Sequence, residues 1–191
     1  MGKKPKLFGS LTHKFIMDKK MPKYQIIKEF WIDIGHRMFK HDLLSDRGAS
    51  LLRDQESSLG WIRHKDIHPH GHTLIIQVVF ESEELDNQGM SIDTDKVKRV
   101  IKEFIDKYDH SFLISKDDPV KDAFVELFKD YRIVVMDKIP TAEAIAEEVY
   151  NFFDKRLREL LPSDEYPDSF KIAEIRIKTA HTASAVYKPE I

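Results

Sequence analysis

The chain has 191 residues, of which 41% are hydrophobic and 34% charged, with a formal net charge of −2. That is material for one domain with a core under a charged surface, and the near-neutral balance gives no overall case for nucleic-acid binding. Cysteine is absent, which excludes disulfides, thiolate zinc sites and a cysteine nucleophile or base.

No apolar run approaches the roughly 18 residues of a membrane span. Lysines near the N-terminus are not followed by an apolar stretch and a cleavage site, so no secretory signal is read and a cytoplasmic protein is expected. Residues 1–23 carry Lys3, Lys4, Lys6, Lys14, Lys19, Lys20 and Lys23 against Asp18 alone. They read as a solvated or partly ordered arm, or as one that reaches a neighbouring subunit or a phosphate-bearing ligand.

Residues 24–36 alternate as a strand, with Phe30, Ile32, Ile34 and His36 on one parity and Trp31 and Asp33 on the other. Residues 37–69 are a long, charged connection with a short helical patch at Ala49–Arg53. Loops of this length are usually lids or disordered segments, although Phe39, Leu43 and Trp61 argue that this one folds against something. Residues 70–81 are rich in β-branched and aromatic residues and predict a buried strand.

A turn with Gly89 at its end follows. Val97, Val100, Ile101, Phe104, Ile105 and Tyr108 then predict a helix over 93–108, capped by Asp93 or Thr94. Asp118-Pro119 opens a second helix, about 119–130. Arg132–Met136 is a short strand, and Pro140-Thr141-Ala142-Glu143 starts a longer helix with Thr141 as N-cap and Pro162 as its stop. Lys171–Thr179 alternates as a strand, and Ala183–Tyr187 adds another.

The chain contains no Gly-rich phosphate loop, Walker sequence or Ser-centred nucleophile elbow. It does concentrate imidazoles at His64, His68, His70 and His72. His70 and His72 share one strand face. An antiparallel neighbour ending in His36 could complete three neutral imidazoles with a fourth position open, the pattern of a catalytic zinc site. The alternative is a His-rich surface loop with adventitious metal affinity, and periodicity alone does not choose between them. Asp109-His110 could be a carboxylate-oriented general base. Taken alone it reads as a helix C-terminal feature, where a histidinium sits well against the dipole.

The order His36 … His70-Gly71-His72 … Gly89-Met90-Ser91-Ile92-Asp93 … Asp109-His110-Ser111-Phe112-Leu113 … Pro140-Thr141-Ala142-Glu143 … Lys178-Thr179 resembles the 6-pyruvoyltetrahydropterin synthase / 6-carboxytetrahydropterin synthase family. The resemblance implies an α+β tunnelling (T) fold over residues 24–191, with an insertion at about 37–66: an antiparallel sheet with helices on one face, assembled through sheet edges into a homo-oligomer. It implies zinc held by His36, His70 and His72, a dihydroneopterin triphosphate-like pterin substrate, metal-assisted proton abstraction and elimination, and active sites between subunits. Asp109 and His110 match the family's assisting pair. Thr141 and Glu143 match a family stretch and are candidate substrate contacts, with capping and helix-dipole roles as their plainer alternatives.

Two departures stand out. The family's catalytic Cys lies shortly before the His-Gly-His stretch, where this chain reads His64-Lys65-Asp66-Ile67-His68-Pro69. Asp66 or His64 could replace it as base, or both could be plain loop residues. The family's ring-anchoring Glu matches Lys178, a cation that only donates. The implied activity is therefore a lyase with altered base and specificity. The alternative is a non-catalytic zinc-containing homologue that binds a purine-like, pterin-like or acidic ligand.

Overall fold

Strict alternation produces the central hairpin. β1 (Tyr24–His36) and β2 (His70–Ser82) pair antiparallel from Tyr24↔Ser82 to His36↔His70. Phe30, Ile32 and Ile34 on β1, and Leu74, Ile76, Val78 and Phe80 on β2, are buried on one face. Trp31, on the opposite parity, is 67% exposed. The computed structural model describes residues 23–39, 66–161, 169–180 and 183–190. The arm up to residue 22, the helical patch at 49–53, His64 and Pro162 lie outside the described residues.

Downstream come α1 (Thr94–Tyr108), β3 (Ser111–Ser115), α2 (Lys121–Leu127), β4 (Ile133–Met136), α3 (Ala142–Leu160), β5 (Lys171–Ala180) and β6 (Ala183–Tyr187). They complete a six-stranded sheet in the order β4-β3-β1-β2-β5-β6. The four strands from β1 to β6 in that order are antiparallel, while β3 lies parallel to β1 and β4 parallel to β3. The T-fold is thus as expected, with a mixed sheet in place of a purely antiparallel one. Strand β3 escapes sequence reading because Ser111, Leu113, Ile114 and Ser115 are all buried, and burial on both faces erases the period-two signal.

Helices α1 and α3 cover the apolar face. The Phe30 ring lies 5.9 Å from both Phe104 and Phe153. The buried Tyr108 hydroxyl donates to Glu148 at 2.5 Å, tying α1 to α3. Each helix begins on a side-chain cap: Asp93 accepts from Asp95 N–H, and Thr141 Oγ1 from Ala144 N–H. The short α2 departs from the one-face arrangement. Its Phe124 stacks on Phe112, which lies over Gly35 on the sheet's other side. A Cβ at Gly35 would come within 2.7 Å of the Phe112 ring, so this position needs the missing side chain. No helix among the described residues is long and apolar enough to cross a membrane.

Glu81 fastens the far end of the hairpin. It is 9% exposed and accepts from Lys23 Nζ at 2.7 Å and Gln25 Nε2 at 3.1 Å. The Lys23 bond above all holds its carboxyl below the ordinary range. A depressed carboxyl stabilises the fold above its unfolded value of about 4.3, and that contribution is lost as pH falls through the lower folded value. Thermal melts of the native protein should therefore decline below about pH 4. Glu81→Gln should melt lower at neutral pH and decline less steeply on acidification.

Candidate metal centre

The hairpin register brings the histidines together. His36 pairs with His70 across β1 and β2, and Ile34 with His72, so all three imidazoles project from one face. Their ring centroids are 4.5 Å (His36–His70), 5.2 Å (His36–His72) and 4.9 Å (His70–His72) apart. One ring nitrogen from each lies within 4.8 Å of the others.

Backbone carbonyls set the tautomers. His36 Nδ1 lies 2.7 Å from Pro140 O, and His70 Nδ1 2.8 Å from His68 O. A carbonyl only accepts, so each Nδ1 carries the proton and each Nε2 keeps its lone pair. His36 Nε2 is buried and has no hydrogen-bond partner. A buried orphan acceptor between two further imidazoles is what a zinc ion would satisfy. Burial first, then the proximity of His70 and His72, pushes the His36 imidazole below its usual range despite the Pro140 bond. Burial and His70 do the same to His72. Both effects favour the neutral rings that a metal needs.

Asp66 is the carboxylate that bears on this cluster, acting electrostatically on both His36 and His72. Its carbonyl accepts Met38 N–H at 2.8 Å, which fixes it beside the end of β1. Arg37 Nε sits 3.0 Å from the buried Asp118 Oδ2, a charge contact without hydrogen-bond alignment. The N-terminus of α3 reaches the same place, since Pro140 orients His36 and Thr141 caps the helix. The Thr141 hydroxyl is engaged by Ala144 N–H at 3.3 Å, and Glu143 is exposed in the first turn.

Asp109 and His110 form a pair of their own, with His110 Nδ1 2.8 Å from Asp109 Oδ2. His110 has φ +56°, the one positive φ at a non-glycine among the described residues. Burial pushes the Asp109 carboxyl up, but hydrogen bonds from Asp33 N–H and His110 outweigh it and hold the group below the ordinary carboxylate range. This pair adjoins the Asp33 side chain, on the sheet face away from the three histidines. Lys178 also faces away: it pairs with Ile75 and Ser184 in register, opposite in parity to the buried Ile175 and Ile177. Within one chain, therefore, Asp66 and the start of α3 accompany the histidines, whereas Asp109, His110 and Lys178 do not. The roles of Pro140 O and His68 O had no sequence signal, because any residue supplies a carbonyl.

A mixed six-stranded sheet, two helices on its apolar face and three convergent imidazoles define a T-fold protein with a candidate metal centre. The family model for 6-pyruvoyl tetrahydropterin synthase matches residues 25–190. The 6-carboxy-5,6,7,8-tetrahydropterin synthase of Aquifex aeolicus is 32% identical over 171 residues, covering 88% of this chain and 99% of that one. The chain belongs to the 6-pyruvoyl tetrahydropterin synthase family. Among solved structures, a Wolinella succinogenes protein aligns with TM-score 0.64 and 24% identity over 88% of this chain and 99% of its own. A Plasmodium vivax 6-pyruvoyltetrahydropterin synthase, altered at a catalytic glutamate, aligns with TM-score 0.59 and 11% identity over 89% and 99%.

Proposed function

We propose that this chain is a zinc-dependent lyase of its family, acting on a dihydroneopterin triphosphate-like pterin with a carboxylate in place of the family's Cys. The observation that carries the reading is the buried, unpartnered His36 Nε2 facing two more imidazoles, with the His36 and His70 tautomers fixed by carbonyls. When bound there by His36, His70 and His72, zinc supplies Lewis-acid polarisation of a substrate hydroxyl.

The chain's own groups handle the proton. Asp66, beside the histidines, would take the proton from the side-chain carbon next to the one that bears the triphosphate, and the electron pair left behind would form a C=C bond as triphosphate leaves. The Plasmodium vivax enzyme, with its catalytic glutamate, is a precedent for a carboxylate working in this fold. Asp109–His110 relays protons at a neighbouring chain's centre, since in its own chain it faces away from the ligands. The reading implies a cytoplasmic homo-oligomer with sites between chains. Thr141 and Glu143, at the start of α3, are the proposed substrate contacts.

One observation favours a second reading. Lys178, at the expected ring anchor, is a cation that offers no acceptor. A zinc-containing binder of an acidic or purine-like ligand would tolerate that. Zinc-loaded protein incubated with 7,8-dihydroneopterin triphosphate separates the two. The lyase reading expects turnover that falls about 100-fold in Asp66→Asn. Protein holding one zinc per chain that turns over no dihydropterin sides with the binder.

A further inference from the structure

One residue of β1, Asp33, touches the Asp109–His110 pair at two points through its backbone and has its carboxylate bonded to Thr73. Asp33 N–H donates to Asp109 Oδ1 at 2.9 Å. Asp33 C=O accepts His110 N–H at 2.7 Å. Its own carboxylate accepts the Thr73 hydroxyl at 2.5 Å. One oxygen of each carboxylate and one His110 ring nitrogen lie within 4.8 Å of one another. The neighbouring charged group is Arg132, which donates to the carbonyls of Asp109, at 2.9 Å, and Asp106.

The backbone contacts explain how His110 is kept in a left-handed conformation that a β-carbon disfavours. They do not explain the carboxylate. A second acidic group beside Asp109 costs repulsion unless a positive charge forms between them. The imidazole acquires that charge when it takes a proton.

We propose that Asp33 is a positioning residue for the Asp109–His110 pair, its carboxylate held by Thr73 to steady the His110 ring and stabilise the charge it gains. The inference rests on the reading of Asp109–His110 as a proton-transfer pair. Asp33 thereby gives the turn after α1 a fixed ring orientation that the exposed His110, alone on its loop, would lack.

The test uses full-length, zinc-loaded protein with Asp33→Asn, Thr73→Val and Asp33→Glu. In ¹⁵N-histidine-labelled wild type, the His110 Nδ1–H bonded to Asp109 should exchange slowly with solvent. Exchange should quicken about ten-fold in Asp33→Asn and Thr73→Val and recover in Asp33→Glu. With 7,8-dihydroneopterin triphosphate, Asp33→Asn should lower kcat roughly ten-fold, leaving KM and zinc content unchanged. Unchanged ring exchange in Asp33→Asn overturns the proposal, as does a kcat loss that Asp33→Glu fails to restore. If the wild type shows no turnover, the lyase reading fails, and the exchange measurement still decides the role of Asp33.

Discussion

Mixed assemblies of His72→Ala and His110→Ala chains should regain turnover that neither variant shows alone. His72→Ala removes one of the proposed metal ligands from one sheet face, and His110→Ala removes the proposed proton-transfer ring from the other. If each working centre takes ligands from one chain and the Asp109–His110 pair from its neighbour, a mixed assembly contains sites in which both halves are intact. Random mixing in equal amounts leaves about a quarter of two-chain sites whole, so activity should approach about 25% of wild type. The variants are unfolded and refolded together, and mixed assembly is verified by mass before assay. Mixed assemblies without activity would refute a shared centre.

The second large effect is on metal content. Native protein should hold about one zinc per chain, and His70→Ala/His72→Ala about none, because a single remaining imidazole cannot hold the ion against solvent. The sheet should survive, since the core formed by Phe30, Phe104 and Phe153 lies apart from the ligands. Stripping zinc with a chelator should therefore lower the melting temperature without changing the circular dichroism spectrum. At a free zinc level 100 times Kd the ion contributes about 2.7 kcal/mol. Elemental analysis that finds full zinc in the double variant removes the site altogether.

How much of this was legible depended on whether parity or register carried the information. The face shared by His70 and His72 follows from the strand period, and His36 ends an alternating run whose parity was plain. That His36 meets His70 needed only the expected hairpin. The placement of Lys178 was half visible, because its parity opposes Ile175 and Ile177. That the same buried face carries the histidines came from the β2·β5 register, which shifts at Val79/Phe80. Asp33 could not be read as a partner of Asp109, because their contact depends on how the turn after α1 meets the side of β1. Strand β3 was hidden by its own burial. Asp109 and His110 were recognisable as a pair by adjacency and resemblance, but nothing local in the sequence told which face they would occupy.

The bond from Met38 N–H to Asp66 O, 2.8 Å long, closes the chain just beside the histidines. It works as a drawstring between the end of β1 and the residues that lead into β2. The next residue, Phe39, is buried, at 5% exposed. Because these two ends are held by their own contact, the number of residues between them matters little: doubling a loop costs only about 0.6 kcal/mol in closure entropy. A change in the number of residues between Phe39 and Asp66 should therefore leave His36, His70 and His72 in place.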